Sequence, residues 1–336
     1  MSQSRADTLR AHLGSANAIP RPILTSLNGN NSWLISFPGP ASKRARPGSK
    51  LFSHIVSDPW LSGHAELITS WMMTIRTEEA AIGSSATTEQ PPLLDAIFLN
   101  FHHGIPVFAT PEAAAIVQRW GYFSHVTETL DLDPAAPANT WPSLHPGGGL
   151  PHRLNVFRLQ GHHELNFATA IVYSSSPPEE GKMKKHEALL CSPHGIKTDQ
   201  AALTTFLENL DEPESNDSNE ETSRISVLVI LHALKDNFSF GMRFMLGVAG
   251  GLALERLARP RYWVKSHEAP LAYTRIVPFL ARVNDVPRTL QSGLDGEKVN
   301  GGGGGGGGEI EDREGRKVVD VPNGACFVLG LSYGGL

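Results

Sequence analysis

The stretch "LLDAIFLNFHHGIPVFATPEAAAIVQRWG", residues 93–121, decides how the rest of the chain is read. Leu93 to Phe101 is an apolar run with aromatic and β-branched members and little helical periodicity, which predicts a buried strand. His102 and His103 close it at once, and a second short strand follows over Ile105 to Ala109. Thr110 and Pro111 then open a helix, a capping hydroxyl followed by a proline that suits the first turn. A strand that ends in histidines hands imidazoles to the edge of a sheet, and imidazole is a preferred zinc donor.

Working outward, the 336 residues are 40% hydrophobic and 19% charged, enough for a large buried core with polar insertions. A net charge of -5 excludes a phosphate-binding nucleic-acid surface. The cluster Lys43, Arg44 and Arg46 lies in a Pro/Gly loop and reads as a solvated turn. Cys191 and Cys326 have no metal-ligand spacing and read as two thiols in a reducing compartment. Residues 1–20 hold no apolar core of signal-peptide length, and no run approaches the ~18 apolar residues of a membrane span. A cytoplasmic protein is expected, with a small-molecule substrate, no nucleic acid and no membrane span.

Ile23 to Leu27 and Ser32 to Phe37 flank Asn28-Gly29-Asn30-Asn31, a hairpin signal because Asn and Gly tolerate positive φ. "KLFSHIVSDPWLSG" reads as a strand running into a turn at Asp58-Pro59, and residues 64–76 read as helical or irregular. Residues 131–152, rich in Pro, Gly and Ala, look like a midpoint linker. Beyond them "RLNVFRLQ", "FATAIVYS", "EALLCSP", "ISVLVILHAL" and "RYWVKSH" read as strands, with helices over 199–210 and "RFMLGVAGGLALERLA". Residues 211–224 are acidic and rich in Ser and Asn, a composition that favours disorder. The expected organisation is an extension over 1–19, one domain over 20–283, a flexible Gly-rich loop over 284–316 and a C-terminal hairpin over 317–336.

In this order, several stretches resemble the metallo-β-lactamase superfamily, in its N-acylphosphatidylethanolamine phospholipase-like and lactonase-like branch. "NSWLISF" with "HIVSDPWLSG", "LLDAIFLNF", "IPVFATPEAAAIVQRWGYFSHVTE", "EALLCSPHGI" and "RYWVKSHEA" resemble successive pieces of that fold, over roughly residues 23–270. The resemblance implies a four-layer αββα sandwich and a zinc-dependent hydrolase of an ester, lactone or phosphodiester. The family signature His-x-His-x-Asp-His is missing: the chain runs from Phe101 through His102-His103-Gly104 straight into the next strand. Where the family usually carries a bridging Asp, the matching strand ends in Pro193-His194-Gly195. The resemblance therefore implies a degenerate metal site.

Zinc needs three or four converging N, O or S donors. The candidate ligands are His102, His103, His194 and His267, each near a predicted strand end. His162-His163 precedes a strand and reads as a surface turn. Asp58 suits its Asp-Pro turn on structural grounds alone; the resemblance adds a position beneath the metal, bonding a ligand's second nitrogen. The alternative to a hydrolase is a non-catalytic binding or scaffold protein on the same fold. Asp58, His103, His194 and His267 are expected to meet at one edge, with their rings too far apart to share a metal.

Overall fold

The computed structural model describes residues 21–39, 52–60, 64–67, 73–77, 101–174, 186–208, 225–274, 278, 280, 282–301 and 318–330. Its architecture is mixed α/β, with two main sheets packed face to face and helices on one outer side.

The first sheet holds β1 (Ile23–Ser26), β2 (Trp33–Pro38) and β3 (Phe52–Ser57) as an antiparallel meander. The second holds β8 (Leu154–Leu159), β9 (Ala168–Ser174), β10 (His186–Cys191), β11 (Ile225–His232) and β14 (Tyr262–Lys265). Here β8, β9 and β10 are antiparallel neighbours, whereas β10, β11 and β14 run parallel. Alternate residues serve opposite faces. Leu189, Cys191, Leu231, Tyr262 and Val264 meet Leu24, Trp33, Ile35 and Phe37 of the first sheet. Ala188, Leu190, Ile230 and Trp263 point the other way, toward helices. A strand covered on both faces needs apolar residues at every step, which is why β11 reads as an unbroken run from Val227 to Leu231. A bulge between Ala188 and Leu189 lets Leu228 and Val229 both face the first sheet.

The helical layer is α2 (Ala201–Leu207) and α3 (Gly247–Ala258), which bury Leu203, Phe206, Val248, Leu252 and Leu254 against that outer face. Each such side chain contributes about 1.5–3 kcal/mol. The other early helix, α1 (Pro111–Arg119), packs on the parallel pair β6 (Val107–Ala109) and β7 (Val126–Glu128) instead. The packing among the described residues thus gives sheet, sheet and helix; a second helical layer on the four-stranded sheet is not among it.

Several expectations are corrected. Within 64–76 the described residues form strands instead: β4 (His64–Leu67) pairs with β5 (Met73–Thr77), and β5 pairs with β15 (Leu271–Thr274). Residues 131–152 are no linker, because Leu132, Trp141 and Leu150 are buried and Asn155 donates to the Trp141 carbonyl at 2.7 Å. Helix α3 begins at Gly247; Met242–Met245 form β13, hairpinned with β12 (Asp236–Ser239). The 284–316 segment opens with β16 (Asn284–Val286) on β12 and α4 (Leu290–Gly301) on α3, where Arg256 grips Glu297 with both guanidinium nitrogens. The C-terminal hairpin does not form: β17 (Val318–Val319) joins β14 in parallel, while β18 (Cys326–Val328) joins β1 in the other sheet. The expected strand over 93–100 and the disorder over 211–224 lie outside the described residues, as do the glycines after 301 and residues 1–19.

Candidate functional site

Because β10, β11 and β14 are parallel and adjacent, their C-terminal ends share one edge. Cys191 lies beside Leu231 in the ladder, and Leu231 beside Val264. The loop after β10 therefore delivers His194, β11 ends on His232, and the turn after β14 delivers His267. The rings of His194 and His267 face each other edge to face, with centroids 5.0 Å apart. Nδ1 of each is buried with no hydrogen-bond partner among the described residues.

His232 is the residue that sequence reading missed as a site candidate, although it too is a histidine ending a strand. It is fully buried, packs edge-on to Trp263, and its Nδ1 lies 2.7 Å from the Ala233 carbonyl. A carbonyl only accepts, so Nδ1 carries the proton and Nε2 keeps a lone pair, which also lacks a partner. Burial holds all three imidazoles neutral. It pushes His194 and His232 down to about 4, helped at His194 by the Lys235 ammonium, and it lowers His267, where His194 and Lys235 add to the effect. Lys235 is itself buried, donating to the Ala269 carbonyl and to Asp285, both at 3.0 Å.

The scaffold of this edge comes from short polar bonds. His267 has φ of 67°, a left-handed conformation that costs a non-glycine residue roughly 1 kcal/mol, and its N–H donates to the Asn30 carbonyl at 2.9 Å. Ser266 Oγ donates to Asn31 Oδ1 at 2.6 Å and accepts from Trp33 Nε1 at 2.9 Å. Asn31 in turn donates to the Asp58 carboxylate, and Asn28 to the Trp60 carbonyl at 2.7 Å. The Asn-rich turn between β1 and β2 is thus a clasp between the Asp58 turn and His267. Among the described residues the Asp58 carboxylate accepts from Asn31 and from no histidine nitrogen, which differs from the role the resemblance implied.

On the opposite flank, buried Asn166 shares its two amide N–H groups among the carbonyls of His194, Gly195 and Phe244, at 3.1, 3.2 and 2.9 Å. Gly161 permits this, since a Cβ there would lie 1.4 Å from the Asn166 carbonyl oxygen. Asn166→Ala is expected to cost about 2–3 kcal/mol in urea unfolding, because these carbonyls lose their shared donor. Unchanged stability would show that the His194 loop does not depend on it.

His102 and His103 are exposed and find partners locally. Their rings lie 4.2 Å apart, His102 Nδ1 accepts from Gly104 N–H at 3.0 Å, and His103 Nδ1 lies 3.2 Å from Ser124 Oγ. His162 and His163 are exposed in a turn. Among the described residues, no three His, Cys, Asp or Glu side chains are placed to hold a metal ion. No helix among them is long and apolar enough to cross a membrane.

No family model and no curated protein matches the chain. Among solved structures it is similar to an isothiocyanate hydrolase from Delia radicum gut bacteria, at 12% identity and a TM-score of 0.43, over 91% of this chain and 99% of that one.

Proposed function

We propose that the chain is a hydrolase-type protein of the metallo-β-lactamase-like αββα class, acting on an ester, lactone or phosphodiester. Its working edge is the one that carries His194, His232 and His267. The supporting observation is the facing pair His194–His267, each with a buried, unpartnered Nδ1. A nitrogen left without a partner in a buried place is a costly arrangement that a bound ligand or water would relieve.

Zinc, expected from the sequence resemblance, meets an incomplete donor set in the described residues, with the Lys235 ammonium close by. The chemistry open to the described residues is that of their own side chains. One neutral imidazole can accept from a water while the other donates to the carbonyl or phosphoryl oxygen it attacks. With its pKa held at about 4, His194 orients such a water but removes its proton poorly, so turnover by the side chains alone is slow.

A non-catalytic binding role on the same fold is favoured by one observation: His102 and His103 bond Gly104 and Ser124 rather than this edge. A single experiment separates the readings. Purified chain, before and after loading with zinc or manganese, is assayed on p-nitrophenyl butyrate and bis(p-nitrophenyl) phosphate, with metal content measured in parallel. Hydrolysis that disappears in His267→Ala and in His194→Ala supports the hydrolase. Rates equal to those of the two variants, with or without metal, leave the binding role.

A further inference from the structure

A cavity of about 290 Å³ lies between the segment that continues from His194–Gly195 and helix α3. Its walls include Ile196, Leu246 and Ala253, which are apolar, and Lys197, Thr198 and Arg243, which are donors. Arg243 is fixed along one edge: Nε donates to the Met245 carbonyl at 3.1 Å, and Nη2 to the Leu246 carbonyl at 2.5 Å and to Asp236. Its Nη1 has no hydrogen bond among the described residues, so two N–H groups of a pre-positioned guanidinium remain uncommitted. Asp236 does not cancel that charge alone, because its other oxygen is taken by Arg288 Nε at 2.8 Å.

Lys197 has no ion pair among the described residues. Asp199 is the one carboxylate among the lining residues, and it accepts from Gln200 at 2.7 Å. The lining therefore carries an excess of positive charge above an apolar floor. Gly250, also in the lining, lets Leu246 pack close, since a Cβ there would meet the Leu246 Cβ at 2.4 Å.

We propose that this cavity binds a small anion with a short apolar group, a carboxylate or a phosphate ester, gripped by Lys197 and Arg243. The volume suits a ligand at the small end of the usual range of roughly 300–1,000 Å³. Guanidinium and ammonium donors form the stronger class of hydrogen bonds to such oxygens. The inference stands apart from the hydrolase reading, since none of its residues belongs to the histidine edge.

Calorimetric titration and thermal melting of the full chain test it, with butyl phosphate, butyrate, inorganic phosphate and 1-butanol as probes. Saturable binding of butyl phosphate or butyrate, tighter than phosphate and absent for butanol, is expected; which of the two binds identifies the head group. Lys197→Glu, at an exposed position, should weaken binding at least about tenfold. Ala253→Phe, on the half-buried cavity wall, should abolish it while the unliganded melting temperature stays close to wild type. No saturation by either anion at about 10 mM, or wild-type affinity in Lys197→Glu, overturns the proposal. Should Ala253→Phe fail to fold, the Lys197→Glu result decides alone.

Discussion

The urea midpoint of this chain is expected to fall steeply as the pH is lowered from about 7 to about 4.5. His232 is fully buried and its folded-state pKa is pushed from 6.5 down to about 4. In the unfolded chain it protonates near 6.5. Below that pH the unfolded state gains protons that the folded state refuses, so stability drops, and the loss ends only near pH 4, where the folded ring titrates as well. A separation of that size is worth roughly 3 kcal/mol for this residue. His194, also pushed to about 4, and His267, lowered in the same direction, add to the slope. His232→Leu should flatten part of the curve whatever it does to stability at neutral pH. Equal midpoints at pH 7 and pH 4.5 would mean that the rings protonate in place, and the burial argument would fail.

Trp33→Ala is expected to cost about 3–5 kcal/mol, the usual range for a large aromatic removed from a core. Trp33 is 1% exposed in the space between the two sheets, and its indole N–H holds Ser266, the neighbour of His267. Two losses are therefore combined, and Trp33→Phe separates them. The phenyl ring keeps most of the apolar contact but leaves Ser266 Oγ without that donor, for a cost of about 1–2 kcal/mol. Because Ser266 also bonds Asn31, the Phe variant should additionally loosen the Asp58 turn, read as faster amide exchange at Trp60. A cost for Trp33→Phe equal to that for Trp33→Ala would place all of the effect in the hydrogen bond.

The strands of the six-stranded sheet were legible because burial on both faces, or strict alternation, leaves a plain pattern: "ISVLVILH" and "RLNVFRLQ" need no tertiary information. Residues 131–152 misled because Pro and Gly signal turns but say nothing of whether the turns pack; Trp141 is what buries them. Arg243–Met245 reads as helical because its residues suit both states, and the ladder with β12 decides. Helix α4 was hidden by its glycines and its charges, since its stability comes from Leu290 and Leu294 on the core and from Arg256 to Glu297. At the site, strand-end histidines gave His194 and His267, and the same rule applied to "LVILH" would have given His232. Lys235, Asn166 and the clasp role of Asn30 and Asn31 depend on pairings across long stretches of chain, which no local pattern carries.

The separate destinations of β17 and β18 bear on how the protein is made. The first sheet has β1 on its inner side, hydrogen-bonded to β18, and Arg21 donates to the Leu329 carbonyl across 308 residues of chain. At ordinary synthesis rates of roughly 5–20 residues per second, β1 waits about 15–60 s for that partner. Throughout that interval the N-terminal hairpin presents an open strand edge to the crowded surroundings of the ribosome, where an edge of this kind recruits other chains. Yield in cells is thus set by a race between elongation and mispairing, and slower translation should cost soluble protein even where the finished fold is secure.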